Sequence, residues 1–287
     1  MFYLLLSVLF ASLLFVVFKL FSVYKVNTLQ AITVNYIIAF SLGIFMSEVP
    51  VKLIETPNKP WFFWAIFLGF LFIIIFFIMA LTAQKNGLSV ASVAGKMSVV
   101  IPVIFGIIIY KESVGFLKIV GVVLALFAVY LSSAKKETQP TQFKNLLFPL
   151  LLFIGSGTID TSLKFVEKNY VSKEETPLFL ATIFGTAFLM GSFYLLYQIV
   201  KKRVLFQSRN VLAGLVLGIV NYYSMIFLLK ALQTKGVESS VIFTVNNVAI
   251  VLFTTVLALI FFKEKLIKKN WIGIVLSVIS ILLVMSS

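Results

Sequence analysis

The sequence predicts an all-α polytopic membrane protein, with ten transmembrane helices forming two inverted five-helix repeats. Three observations carry that expectation: a composition suited to lipid, ten apolar runs of membrane length, and an ordered series of matches between the two halves. Of 287 residues, 61% are hydrophobic, 31 are phenylalanine and only 12% of the chain is charged. Soluble domains are about 45–50% apolar, and the mean hydropathy here is +1.11. The formal net charge is +14, but the basic residues sit in short gaps between apolar runs. They read as headgroup contacts and topology signals, so no nucleic-acid partner is expected. The chain contains no cysteine and no histidine. Disulfides, thiolate chemistry, imidazole bases and the usual soft-metal sites are thereby removed, and no cofactor is expected.

Measured against about 30 Å of hydrocarbon and about 1.5 Å of rise per residue, the runs cover about 2–22, 29–47, 61–83, 88–109, 114–132, 146–165, 177–200, 211–231, 237–262 and 270–286. The first starts directly at Met1-Phe2 without a basic region or a small-residue cleavage site, so it is expected to be retained rather than cleaved. Pro, Gly, Asn and Lys fill most of the short gaps in the manner of turns, which makes successive helices antiparallel neighbours. The third and tenth runs carry Trp61, Trp64 and Trp271, expected to anchor at the interface. Gly214-xxx-Gly218 in the eighth run, with Gly43, Gly69, Gly121 and Gly273, is expected to permit close helix packing.

The polar stretch 133–145 falls near the middle of the chain, giving a first repeat over 1–132, a linker and a second repeat over 146–287. Gln84-Lys-Asn-Gly87 lines up with Gln233-Thr-Lys-Gly236, Lys111-Glu112 with Lys263-Glu264, and the run from Gly121 with the run from Gly273. A shift of about 150 residues also lays Leu68-Gly69 on Leu217-Gly218 and Thr28 on Thr176. Five spans is an odd number, so the second copy enters the membrane from the opposite side. In many secondary transporters a midplane site lies between such inverted repeats. The side holding Lys135-Lys136, Lys201-Lys202-Arg203 and Lys268-Lys269 is richer in cations than the side holding Lys52, Lys59, Lys111, Lys118, Lys168 and Lys173. The positive-inside rule then puts the richer side in the cytoplasm and both termini outside.

The candidate substrate-binding residues are the polar groups at membrane depth. Lys96 lies roughly eight residues beyond Gly87, too far in to snorkel easily to the near interface. A charge at a helix centre costs roughly 2.5 to 3.5 kcal/mol on insertion scales, so Lys96 is read either as a fixed cation that attracts an anionic group or exchanges a proton, or as a structural lysine in an ion pair or bonded to backbone carbonyls. Asp160, the only aspartate, lies in the body of the sixth span and is expected to be buried, as a proton carrier or as the partner of Lys96 or Lys164. Asn246 and Asn247 lie near the position of Lys96 in the second repeat, and Asn221, Tyr222 and Tyr223 sit in the eighth span. Each of these is read either as substrate lining or as interhelical glue. Pro102 is the candidate hinge, because it removes a backbone donor and kinks the helix just beyond Lys96.

Lys96-Met-Ser-Val-Val-Ile-Pro102, Glu112 followed by Gly121, Val245-Asn-Asn-Val, and Glu264 followed by Asn270-Trp-Ile-Gly273 together resemble the EamA-type members of the drug/metabolite transporter superfamily. The resemblance covers essentially the whole chain. It implies alternating access without ATP hydrolysis, a substrate held in a central cavity, and residence in a bacterial cytoplasmic (inner) membrane. The lack of a GxxxxGK[ST] motif fits that expectation. The implied partner is a small molecule, anionic or zwitterionic to suit Lys96, together with membrane lipids. Coupling to a proton or sodium is compatible with the resemblance and is carried by no motif. A flippase-like transporter of a lipid-linked anion is the alternative. An intramembrane enzyme is not expected, since one aspartate with no histidine or cysteine leaves few parts for an active site.

Overall fold

The computed structural model describes residues 2–46, 55–102, 104–105, 115–132, 143–172, 174–201, 205–232 and 239–285. Among these the regular structure is helical. Helix α1 spans Phe2–Val23, α2 Thr28–Phe45, α3 Phe62–Lys85, α4 Leu88–Met97 and α5 Phe116–Ser132. Helix α6 spans Phe143–Tyr170, α7 Thr176–Val200, α8 Ser208–Leu232, α9 Ser239–Phe261 and α10 Lys268–Met285. Six helical segments, within α1, α2, α3, α6, α7 and α8, are long and apolar enough to cross a membrane, and shorter apolar helices lie at Leu88–Pro102, Ile119–Ser132 and Asn246–Phe261. Large side chains such as Phe45, Phe63 and Phe193 are exposed, whereas the alanines at 31, 39, 65, 125, 128, 181 and 187 are fully buried. That inversion of the soluble pattern follows from the solvent: burying a phenylalanine gains little when lipid is as apolar as the core, while small residues let backbones approach.

The chain forms two compact units, and each draws on both halves of the sequence. One comprises Leu20–Phe77 and Ile159–Tyr222; the other comprises Met1–Lys19, Ile78–Thr158 and Tyr223–Ser287. In the former, α2 packs along α7, and the glycine contacts of α2, α3, α7 and α8 come in exchanged pairs. Gly43 faces Ala181 while Gly191 faces Thr33; Gly69 meets Ile183 and Thr186 while Gly218 meets Asn35 and Ile38. At Gly218 an added Cβ would lie 2.7 Å from Ile38 Cβ and 2.8 Å from the Asn35 carbonyl, so only hydrogen fits. Tyr36, Phe72, Phe76 and Phe184 form an aromatic core beside these contacts.

The helix ends of this unit are tied by side chains. Asn27 caps α2 by accepting from the Gln30 amide at 3.1 Å, and the Asn27 amide donates to Asn210 Oδ1 at 2.9 Å. Buried Gln30 accepts from Asn210 Nδ2 at 2.7 Å and donates to the Leu205 carbonyl at 2.7 Å. Elsewhere in the same unit, Glu175 precedes α7 and accepts from Lys59 Nζ at 2.6 Å and Trp61 Nε1 at 3.0 Å. Trp61 is therefore fully buried, contrary to the interfacial anchoring expected of it, because its ring packs edge-on against Phe179 while its N–H has a carboxylate partner. Trp271 is 46% exposed.

In the other unit α5 packs along α10. Ser280 Oγ donates to the Gly121 carbonyl at 2.7 Å, and a Cβ on Gly273 would lie 2.5 Å from the Ser132 amide nitrogen and 2.9 Å from the Ala128 carbonyl. Asn270 joins the ends of both helices: its Oδ1 accepts from the Ile267 amide, and its Nδ2 donates to the carbonyls of Leu131 and Ser132. The Asn270-Trp-Ile-Gly273 motif is thus a packing and capping device.

Two outcomes follow from these contacts. Gly218→Leu is expected to lower stability by about 1–3 kcal/mol through overpacking, read as a fall in thermal midpoint in detergent. Gly95→Ala, whose Cβ would meet only Phe15 Cζ at 3.7 Å, should leave the midpoint unchanged or raise it. The second outcome concerns pH. The Lys59 hydrogen bond holds the Glu175 carboxyl below the usual carboxylate range, with Trp61 adding to the effect and partial burial opposing it; the same bond raises Lys59. A lowered carboxyl contributes stability that is present above its unfolded value, about 4.3, and lost as pH falls through the folded one. The raised Lys59 contributes below its unfolded value of about 10.4, and that contribution is lost as pH rises through the folded one. Wild type should therefore lose thermal stability below about pH 4 more steeply than Glu175→Gln; matching acid profiles would contradict this role.

Candidate functional site

Helix α4 begins without a side chain to cap it. Gly87 occupies the N-cap with φ of 111°, a conformation that glycine adopts without strain, and the missing acceptor comes from far along the chain. Glu264 Oε1, just beyond α9, accepts from the Leu88 amide at 2.8 Å and lies 3.4 Å from Lys19 Nζ of α1. Of the two repeat-closing Lys-Glu pairs, Lys263-Glu264 thus places its glutamate as a helix cap and ion-pair partner, whereas Lys111-Glu112 lies outside the described residues.

From Leu88 to Gly95 every residue is buried, and Lys96 is half-buried. The helix then breaks. Ser98 and Val99 form a turn, and helical residues resume at 100–102 and 104–105. Proline at 102 has no N–H for the Ser98 carbonyl, which instead accepts from Ile101 at 2.9 Å, while Val99 reaches back to the Lys96 carbonyl at 3.5 Å. Ser98 Oγ occupies the Gly95 carbonyl at 2.6 Å. The break thus falls just beyond Lys96, where a kink was expected of Pro102, because the bond that proline cannot make is the one to residue 98.

Helix α9 runs without a break past Asn246 and Asn247, so the two related segments differ in local geometry, as the lack of a matching proline predicts. Buried Asn246 accepts from Ser7 Oγ of α1 at 3.1 Å, and Asn247 is buried beside it in sequence. Tyr223 stacks on Phe227, with Phe10 of α1 against both rings. Lys96, Asn246, Asn247 and Tyr223 belong to one compact unit, and Asp160, Asn221 and Tyr222 to the other. In the latter, Asn221 Nδ2 donates to Asn35 Oδ1 at 3.1 Å, a bond between α8 and α2, and Tyr222 is buried. Asp160 is exposed on α6, which corrects the expected burial: a place in the body of an apolar helix does not fix which side of the helix is covered. The side chain of Lys164 lies outside the described residues.

Ser7 was not among the expected site residues. Its only sequence signal is a hydroxyl in an apolar helix, a common occurrence. Glu264 was visible as half of a repeated Lys-Glu pair, but the helix it caps lies 176 positions away in the chain.

Apolar helices packed through small residues, with charged caps at their ends and a lysine beside a helix break, define a polytopic integral membrane protein. Comparison with known proteins makes this specific. The EamA-like transporter family model matches residues 1–134 and 147–286, and the chain belongs to that family, within the drug/metabolite transporter superfamily. It is a membrane transporter of that type. An uncharacterized protein of Haemophilus influenzae is 29% identical over 261 residues, covering 88% of this chain and 86% of the relative. With a bacterial relative of this kind, the protein is assigned to the cytoplasmic (inner) membrane. A solved crystal structure of a protein covers 98% of this chain and 94% of its own, with a TM-score of 0.64 and 15% identity; that likeness concerns the fold alone.

Removing the cap tests the start of α4. Glu264→Ala is expected to cost about 1 kcal/mol from the lost cap, seen as a lower thermal midpoint and faster amide exchange at the start of α4. Unchanged exchange would show that the carboxylate does not hold this helix end.

Proposed function

We propose that the chain is a secondary transporter that moves a small anionic or zwitterionic metabolite by alternating access, without ATP hydrolysis. In this reading ten spans form two inverted five-helix repeats over 1–132 and 146–287, with 133–145 as linker and both termini outside. The exchanged contacts support it: when residue i meets j and their counterparts about 150 residues away meet in the same way, the two copies are related by a two-fold axis.

The observation that carries the site assignment is the break of α4 immediately after the half-buried Lys96. Interrupted helices are where transporters place their binding groups, since unwound backbone at membrane depth is tolerated where protein or a water-lined cavity surrounds it. Lys96 attracts the anionic part of the solute. Asn246 and Asn247 supply hydrogen bonds and Tyr223 aromatic lining within the same compact unit, while Pro102 sets the break about which α4 adjusts; Asp160, Asn221 and Tyr222 are the candidate substrate-binding residues of the other unit.

Screening amino acids, sugars and nucleotide derivatives for thermal stabilisation identifies a solute, because bound ligand raises stability by mass action. In proteoliposomes that solute should show saturable uptake and counterflow. Lys96→Ala should reduce uptake roughly ten- to a hundredfold, the range for a lost charge-assisted hydrogen bond, while the thermal midpoint without solute is kept. Undiminished uptake by a well-folded Lys96→Ala protein would refute the assignment.

A further inference from the structure

A serine within a helix normally satisfies its own hydroxyl by donating to a carbonyl one turn back. Buried Ser92, Ser98, Ser132 and Ser277 all do so, at 2.6–3.0 Å. Ser12 is different. It lies in the middle of α1, fully buried, and its Oγ has no hydrogen-bond partner among the described residues. The carbonyls of Val8 and Leu9 are one turn behind it, so this hydroxyl has turned away from the partner that helical serines ordinarily use. Ser89 is also without a partner, but it sits in the first turn of α4, where no helical carbonyl lies behind it. Ser12 has no such reason. A buried hydroxyl left unpaired is costly and calls for a ligand, a water or a role in another state.

The surroundings of Ser12 narrow the choice. One and a half turns before it, Ser7 bonds Asn246; nearly one turn after it, Phe15 packs on Gly95, the residue preceding Lys96. The segment of α1 that bears Ser12 thus runs from the asparagine of one repeat to the lysine segment of the other, all within a single compact unit. The shift that lays Thr28 on Thr176 also lays Ser12 on Asp160, so Ser12 occupies in the first repeat the position of the polar residue already assigned in the second.

We propose that Ser12 is a binding residue of the transport site, its hydroxyl donating to an anionic oxygen of the solute whose charge Lys96 attracts. This inference rests on the reading of Lys96 given above. The hydroxyl is buried here and engages the solute in a state of the transport cycle open to it.

The natural absence of cysteine makes the test direct, because Ser12→Cys carries a single thiol. In proteoliposomes, anionic sulfonatoethyl and cationic trimethylammonioethyl methanethiosulfonates are applied from both sides, with rates normalised to a free thiol. The thiol should be labelled, and the anionic reagent should be favoured at least about threefold, a preference that adding Lys96→Gln removes. Equal normalised rates would overturn the anion assignment. A labelled Lys96→Cys alongside an unlabelled Ser12→Cys would reject Ser12 and leave Lys96 standing; failure of both to label would reject the reading of Lys96 as well. Thermal unfolding of Ser12→Ala decides the matter if Ser12→Cys does not fold. The midpoint should stay level or rise, since the deleted hydroxyl has no protein partner, and a fall of several degrees would reveal a structural bond and overturn the proposal.

Discussion

Inside hydrocarbon a backbone N–H or C=O has no water to turn to, and every such group must find a partner within the protein. That constraint explains why the described regular structure is helical, and it also explains what happens where a helix stops. At Gly87 the chain turns with a positive φ and the first amide of α4 is left without a partner; Glu264 reaches it from beyond α9. At Ser98 the proline four residues on cannot donate, and a shorter-range bond from Ile101 takes its place. Both interruptions fall on the helix that bears Lys96. The polar chemistry of α4 and its irregular backbone are two aspects of the same local problem.

Packing obeys a second consequence of the lipid solvent. With no hydrophobic gain from bringing helices together, association depends on close approach and on polar bonds between helices. The glycines at 43, 69, 191, 218 and 273 let backbones approach so closely that a methyl group would collide or press on its neighbour. Between them, Asn35 with Asn221 and Gln30 with Asn210 add hydrogen bonds between helices. The compact units that result take α2 and α7 into one and α4, α5, α9 and α10 into the other. Division by sequence and division by contact therefore cut the molecule differently, because each copy of the repeat completes its packing on the other.

The matched positions are geometrically alike and chemically unlike. Where Asn27 and Asn210 meet through neutral amides, their counterparts Glu175 and Trp61 meet through a carboxylate that also holds Lys59. Where α9 carries Asn246 on an unbroken helix, α4 carries Lys96 beside a break. Positions about 150 residues apart thus share their packing and differ in their polar groups.

Much of this was legible in the sequence. Helix positions followed from hydropathy, because each residue partitions into lipid according to its own side chain, and the described helix limits lie within a few residues of most expected ones. Matches at a constant offset were legible in the sequence, and the exchanged glycine contacts fall on them. The disturbance at Pro102 was legible too, since it depends only on a missing N–H. Other features depended on partners far away in the chain. Trp61 is buried because Phe179 packs on its ring and Glu175 accepts from its N–H, and Glu264 is a cap because α4 begins there. The sequence by itself determined the solvent and the helices, both of which are sums of local preferences. Only the tertiary structure decided which polar group answers which, because a hydrogen bond in lipid is chosen by proximity between segments more than 100 residues apart.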